Sequence, residues 1–485
     1  MIPRMSQAQV DRDRDYQNPL VTRYAGREMR ELFSPRRRAL VWRECWIALA
    51  RAQRELGLEI SASQIEALEA RKEDLDLDRV AELEAELRHD VMAHIHHYGE
   101  VAPEARGILH LGATSCFVTD NADLWIFREG LRLLARRIRG LLGTMARRAE
   151  EWRDLPCLSW THYQPAQPTT MGRRVCTWAQ DLKLDLERIE TLARNLPFRG
   201  AKGTTGTQAS YLSLFDGDHR KVRLLDRKVA EALGFGDVLP LTTQTYPRKL
   251  DHDLLAALSG LAQSCARFGI DVRLLSHEGE VEEPFEKKQI GSSAMAYKRN
   301  PMRSERICSL ARLVLALSST AGETAANQWL ERSLDDSAIR RIAIPEAFLA
   351  LDACLQLETN VLAGLRVWPR MMERHLLEHL PFMITEEVLM EGVRKGADRQ
   401  DLHERIRRHA VEAARRMKEE GANNPLLGML EEDPAFGFIR GRLRDLCRPE
   451  RLVGRSREQV DEFLEEVLGP ILAEDGGAAS DEIRV

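Results

Sequence analysis

The sequence predicts an all-α protein, and three observations predict it. Apolar residues recur at helical spacing over long stretches: Leu250, Leu254, Leu258, Leu261, Cys265, Phe268, Val272 and Leu275 follow one another by steps of three or four, which places them on one helix face. Similar stripes run from Leu124 through Leu131, Leu134, Ile138, Leu141 and Met145 to Trp152, and from Met171 through Val175, Trp178, Leu182, Leu186 and Ile189 to Leu196. No run of alternating β-branched residues occurs, so almost no sheet is expected. Helices of about 25 residues, twice the usual globular length, suit an extended bundle whose apolar faces are wide enough to bury neighbouring subunits as well.

Taken in chain order, the elements begin with a shorter helix striped by Val41, Cys45, Leu49, Ala52 and Leu56, which Gly57 can end in the left-handed conformation. Ser61 then caps the next helix, with Gln64 bonding back and Ile60 packing on Ile65. A further stripe, Val80, Leu83, Leu87, Val91 and Ile95, predicts a helix running into Arg88–Gly99. Breaks at Gly112–Asp120 and Gly364–Pro369 bracket the long helices and divide the chain into an N-terminal helical domain (1–114), a central long-helix domain (115–367) and a C-terminal helical domain (368–485). The small, acidic stretch 474–485 is expected to be disordered.

Composition narrows the function. At 485 residues the chain holds about three ordinary domain lengths. Its 71 basic and 76 acidic residues leave a net charge of −5, which excludes general attraction for nucleic acid or an anionic membrane, so any basic site must be local. The eight cysteines show neither a C-x-x-C pair nor zinc-ribbon spacing, which fits reduced thiols in a cytoplasmic protein. The first twenty residues are too charged for a secretory apolar region, and no run of 18 apolar residues occurs, so neither export nor a membrane span is expected.

Three segments carry more polar groups than bundle linkers need. Within Pro284–Arg306, residues 287–306 carry six cations (Lys287, Lys288, Lys298, Arg299, Arg303, Arg306) and one acid, Glu305, beside a Gly-Ser-Ser turn. Adjacent hydroxyls and guanidinium groups suit an anionic substrate, while charge alone equally fits a solvated loop. In Ser159–Thr170, two prolines hold His162 out of helix, and its ordinary pKa suits proton transfer near neutrality, although a lone histidine is often structural. In Arg88–Gly99, Asp90, His94 and His97 stand at i, i+4 and i+7, a spacing that by itself is weak evidence for metal. A fourth run, Gly200–Gly206, lacks the Walker pattern, which rejects a nucleoside triphosphatase and leaves a monophosphate turn or a plain interhelical loop.

The motif GSSAMAYKRNPMRSE, Gly291–Glu305, resembles the signature loop of the fumarase, aspartase and argininosuccinate lyase superfamily, and its Tyr-Lys-Arg-Asn version resembles the adenylosuccinate lyase family within it. RHDVMAH, HLGATSC, THYQPAQPTT, KGTTGTQAS, EPFEKKQIGSS and LDDSAIRR match that family's blocks in the same order, over nearly the whole chain from Asn18 to beyond Leu464. The resemblance implies an all-α, three-domain lyase fold, a homotetramer whose central helices form one bundle, active sites each built from three subunits, and no metal or organic cofactor. It also implies elimination of fumarate from adenylosuccinate, giving AMP, and from the succinylcarboxamide ribotide SAICAR, giving AICAR. Motif position implies Ser292 as general base, with Ser293 as fallback, Lys298 stabilising the aci-carboxylate and His162 protonating the departing nitrogen. His89 is implied to assist His162 or bind phosphate, and Glu305 to orient Lys298 or another loop partner. Substrate contacts fall to Arg23, Tyr24, Arg88, His89, Asp90, Thr114, Ser115, Thr161, Gln244, Arg306, Arg332, Ser337 and Arg341.

The alternative is another fumarate-releasing lyase, such as one acting on argininosuccinate, against which Tyr297, Lys298, Arg299 and the Gly203–Ser210 block argue. A scaffold protein without activity is disfavoured because Ser292, His162 and Lys298 are all present. One position departs from the family pattern: Ala296 stands where proline is usual, which frees a backbone dihedral in the loop. Ala296→Pro is therefore expected to raise turnover or tighten substrate binding, and steady-state kinetics with both constants unchanged would refute this.

Overall fold

The computed structural model describes residues 15–473 apart from 287, 288, 291–293 and 296, so Lys287, Lys288, Ser292, Ser293, Ala296 and the acidic stretch 474–485 lie outside the described residues. Helix α1, Pro35–Glu55, starts with Ser34 accepting from the Arg37 amide and with proline at its first position. It ends before Gly57, whose φ of +98° confirms the expected left-handed stop. Helix α2, Ala62–Ala70, carries the expected capping box of Ser61 and Gln64, and both Ile60 and Ile65 are buried.

The expected single helix through Val80–Ile95 is two. Helix α3, Leu77–Leu87, stops at Arg88, which is left-handed at φ +54°, and α4, Asp90–Val101, starts afresh with His89 as its cap, the imidazole Nδ1 accepting from the Met92 amide. The apolar spacing survives the break because Val80 and Leu83 on α3 pack with Ala93 on α4, so periodicity cannot reveal the corner.

Five helices build the bundle: α5, Ser115–Glu151; α6, Met171–Asn195; α7, Lys249–His277; α8, Met302–Ala326; and α9, Asp336–Gly364. Helix α5 packs along α6 and α9, α7 along α6, α8 and α9, and α8 along α9. The three predicted stripes form the contacts, with Leu131, Leu134, Ile138, Leu141, Val175, Ile189, Leu258, Leu261, Cys265 and Val272 fully buried in one continuous core. Helices α5 and α9 approach closely at Gly130, where a Cβ would stand 2.8 Å from the Phe348 ring.

The expectation of almost no sheet holds among the described residues, where the one sizeable piece of sheet is a two-stranded hairpin. Strand β1, Pro156–Thr161, pairs antiparallel with β2, Gln164–Thr170, between α5 and α6. Proline-rich β2 reads poorly as strand, yet Pro165 and Pro168 are extended by their fixed φ, and an edge position tolerates their missing N–H groups. A second pair, β3, Val281–Glu282, with β4, Arg366–Val367, fastens the chain after α7 to the end of α9. Beyond it lies α10, Pro369–Met383, followed by a second hydrophobic cluster including Leu380, Ile384, Val388, Leu402, Leu430 and Phe436. All eight cysteines are free thiols, and no helix among the described residues is long and apolar enough to cross a membrane.

The corner between α5 and α6 depends on Gly172, where a Cβ would lie 2.4 Å from the Ala149 carbonyl oxygen and 2.8 Å from the Arg153 amide. Both obstacles are backbone, so Gly172→Ala should destabilise the fold by about 1–3 kcal/mol, measurable as a lower denaturation midpoint; an unchanged midpoint would refute the close approach.

Candidate active site

A cleft of about 450 Å³ opens where the first turns of α5 and α9 meet the Arg88–Asp90 corner and residues 244–248. Seven of the residues predicted as substrate contacts line it: His89, Asp90, Ser115, Gln244, Arg332, Ser337 and Arg341. The corner between α3 and α4 places His89 here, its Nε2 3.4 Å from the Ser115 hydroxyl and its Nδ1 3.7 Å from Asp90. The other Asp90 oxygen accepts from Arg341 at 3.2 Å, joining α4 to α9. Arg88 forms the corner and Thr114 caps α5 without bonding its amides through the hydroxyl, so both border the cleft's rim in sequence. Gln244 is fixed by its side-chain amide donating to the Thr204 carbonyl at 2.8 Å and by its backbone amide donating to the Glu331 carbonyl. Near Ser115, burial and His89 pull the His110 imidazole down to about 4; it is therefore neutral, and its Nδ1 accepts from the Trp46 indole at 2.8 Å.

The floor is a buried charge network that sequence reading missed. Arg248 spans Asp120 on α5 (3.1 Å) and Asp336 on α9 (2.6 Å), and the second Asp336 oxygen accepts from Arg332 at 2.9 Å. Arg340 similarly bridges Asp123 and Asp251, and Asp251 accepts from the buried Tyr246 hydroxyl. Burial alone would raise the Asp120 carboxyl, but Arg248, Arg340 and Arg199 hold it below the usual range, whereas burial wins at Asp123 and pushes its carboxyl up. These residues are dispersed over more than 200 positions, so no local spacing announces them, although the Asp-Asp and Arg-Arg pairs of LDDSAIRR carry part of the signal.

The Gly200–Gly206 run is an interhelical packing loop. Its Lys202 is buried on Asp226 at 2.6 Å, and buried Arg199 donates to the carbonyls of Gly200, Gly203 and Gln244. At Gly206 a Cβ would strike the Thr242 carbonyl at 2.0 Å. Asp90, His94 and His97 are separately engaged: His94 packs edge-on against Trp42, and His97 Nε2 accepts from the Asp76 amide. Among the described residues no group of three or more metal-ligating side chains converges.

The other predicted residues that are described, Arg88 and Thr114 apart, lie elsewhere in the protomer. Tyr24 stacks under the Arg306 guanidinium, 5.6 Å from the ring centre, at the first turn of α8, with Arg23 beside it in sequence. The helix begins at Met302, so Arg303, Glu305 and Arg306 stand on helix and not in the loop. Buried Glu283 accepts from the Arg303 and Ser304 amides at 3.0 and 2.6 Å, and Arg303 reaches the Pro284 carbonyl, which pins the two ends of the signature loop together. Lys298 is exposed, Glu305 is exposed on α8, and no ion pair joins them. Thr161 and His162 occupy the tip of the β1–β2 hairpin, near the far end of α7, where Tyr163 meets Glu278.

Helix α7 measures the separation. Arg248, in the cleft, precedes its first residue, while Arg299 bonds Glu282 and Tyr163 bonds Glu278 beyond its last. Its 29 residues span about 43 Å at 1.5 Å per residue. The cleft and the groups around Lys298 and His162 therefore stand at opposite ends of one bundle.

Removing Arg248 would strand two buried carboxylates, so Arg248→Met should lower stability by about 3–5 kcal/mol in chemical denaturation, and wild-type stability would contradict the bridging role.

The chain matches the family model described as Lyase over residues 26–316 and that described as Adenylosuccinate lyase C-terminus over residues 381–463. It is 49% identical to the adenylosuccinate lyase of Saccharomyces cerevisiae, with 93% of this chain and 94% of the relative covered. It is 48% identical to that of Schistosoma mansoni, with 96% and 97% covered. Its fold is shared with the 3-carboxy-cis,cis-muconate lactonizing enzyme of Pseudomonas putida, at a TM-score of 0.80 and 24% identity over 94% of this chain and all of that one. Bundle, cleft and full-length kinship agree: the chain belongs to the adenylosuccinate lyase family.

Proposed function

We propose that the protein eliminates fumarate from adenylosuccinate, giving AMP, and from SAICAR, giving AICAR, without a metal or organic cofactor. The full-length kinship supports the reaction, and the observation that carries the reading is the cleft itself: hydroxyl, amide and five guanidinium-bearing positions line a space that fits a nucleotide-sized anion. In the proposed step Ser292 takes the proton from the carbon next to a carboxylate. The C–H electron pair is held first in an aci-carboxylate, and on its collapse becomes the new C=C bond as the C–N bond breaks. The intermediate aci-carboxylate is a dianion, for which Lys298 supplies the counter-charge. His162 gives its proton to the departing nitrogen. Serine is a weak base at neutral pH, so excluded water and neighbouring cations must activate it.

The same reading makes the protein a homotetramer with each active site drawn from three subunits and with domains 1–114, 115–367 and 368–485, working in the cytoplasm. Cleft residues and the Lys298 and His162 groups lie about 43 Å apart along one bundle. Copies packed with opposite ends adjacent would unite them. Leu184, Ile270, Leu274 and Leu315 are exposed on α6, α7 and α8, which suits coverage by such copies.

Ser292→Ala and His162→Ala should each fold yet lose at least 100-fold in turnover of adenylosuccinate, followed by ultraviolet absorbance with chromatographic identification of AMP and fumarate. Near-normal turnover in either would return that residue to a structural role, and turnover of argininosuccinate alone would favour the alternative lyase. Mixing the two inactive variants should restore part of the activity after subunit exchange, and its absence would refute shared sites.

A further inference from the structure

The hairpin tip that presents His162 is built at a cost. Thr161 pairs with Gln164, leaving a two-residue turn, and both turn residues are left-handed, His162 at φ +54° and Tyr163 at φ +55°. Such a turn favours Asn-Gly, because side chains with a Cβ clash in this region. Backbone strain of this kind persists only where the surroundings hold it.

The His162 imidazole itself makes no hydrogen bond among the described residues, so its aim is set by the turn. Tyr163 is what holds the turn. Its ring lies against Trp160, with centroids 5.5 Å apart, and its hydroxyl donates to the Glu278 carboxylate at 3.3 Å. The Gln164 side chain adds a bond to the Tyr163 carbonyl at 3.0 Å. Glu278 is itself out of place by ordinary rules. It caps the C-terminal end of α7, where the helix dipole disfavours an anion, it forms no ion pair among the described residues, and its side chain has no other hydrogen bond there. A strained turn and a misplaced carboxylate meet in one contact.

We infer that Tyr163 and Glu278 form a latch that aims His162 at the leaving nitrogen, which makes both of them positioning residues for the proposed reaction. The inference rests on His162 being the general acid. Because the latch fixes the acid and not the bound substrate, its loss lowers kcat and leaves KM alone.

The test is a set of variants of the full chain assayed with adenylosuccinate. Tyr163→Phe and Glu278→Leu should each lower kcat by about 3- to 10-fold, as one hydrogen bond of ordinary net strength allows, with KM within twofold and the melting temperature unchanged. The double variant should be no slower than either single one, since both break the same contact. Glu278→Gln keeps an accepting oxygen and should restore kcat to within twofold of the parent. In a His162→Ala background, Tyr163→Phe should have no further effect. Unchanged kcat in Tyr163→Phe, additive losses in the double variant, or a fall in melting temperature with kcat intact would overturn the latch while leaving His162 as the acid. Wild-type turnover in His162→Ala would overturn both.

Discussion

The guanidinium of Arg248 holds the cleft together. It sits between Asp120 and Asp336, all three almost wholly buried, at the point where the first turns of α5 and α9 meet the start of α7. A buried ion pair is not in itself a source of stability, because desolvation can cancel the Coulombic gain. Its value here is geometric. Two carboxylates on different helices cannot both stay charged in the interior without a cation between them, so the three helix ends have one satisfactory arrangement. Arg332 on Asp336 then extends this network toward the surface, and a separate pair, Arg341 on Asp90, stands on the same cleft.

The bundle provides distance as well as rigidity. Helices of 25 to 37 residues carry the cleft at one end and the signature loop and histidine hairpin at the other. Rods of this length do not bend to bring their own ends together, so the two ends stay apart within one protomer. The loop end is finished by two local locks. Glu283 ties the loop's entry to the first turn of α8, and β3 with β4 ties the end of α7 to the end of α9. Left-handed non-glycine backbone occurs at Arg88 beside His89 and in the His162–Tyr163 turn, among other positions, and both of these corners carry candidate chemistry.

The sequence by itself determined the long helices, because burial of one face imposes a period that survives in the order of Leu131, Leu134, Ile138 and Leu141 or of Leu258, Leu261 and Cys265. It also determined local punctuation, such as the Ser61–Gln64 capping box and the Gly57 stop, since these are interactions between near neighbours. Motif order brought out His89, Ser115, Gln244, Arg332 and Arg341, which do share one cleft.

Only the tertiary structure decided the rest, and the reason is range. The Arg248 network joins positions 120, 248, 332 and 336, whose pairing depends on how helices align and leaves no spacing to read. The corner at Arg88 is silent because the apolar rhythm continues across it, and the proline-rich β2 hides its pairing because extended backbone needs only a partner strand. Likewise the 43 Å between the cleft and the His162 turn follows from the direction in which α7 runs, a relation between whole helices that no single stretch of residues contains.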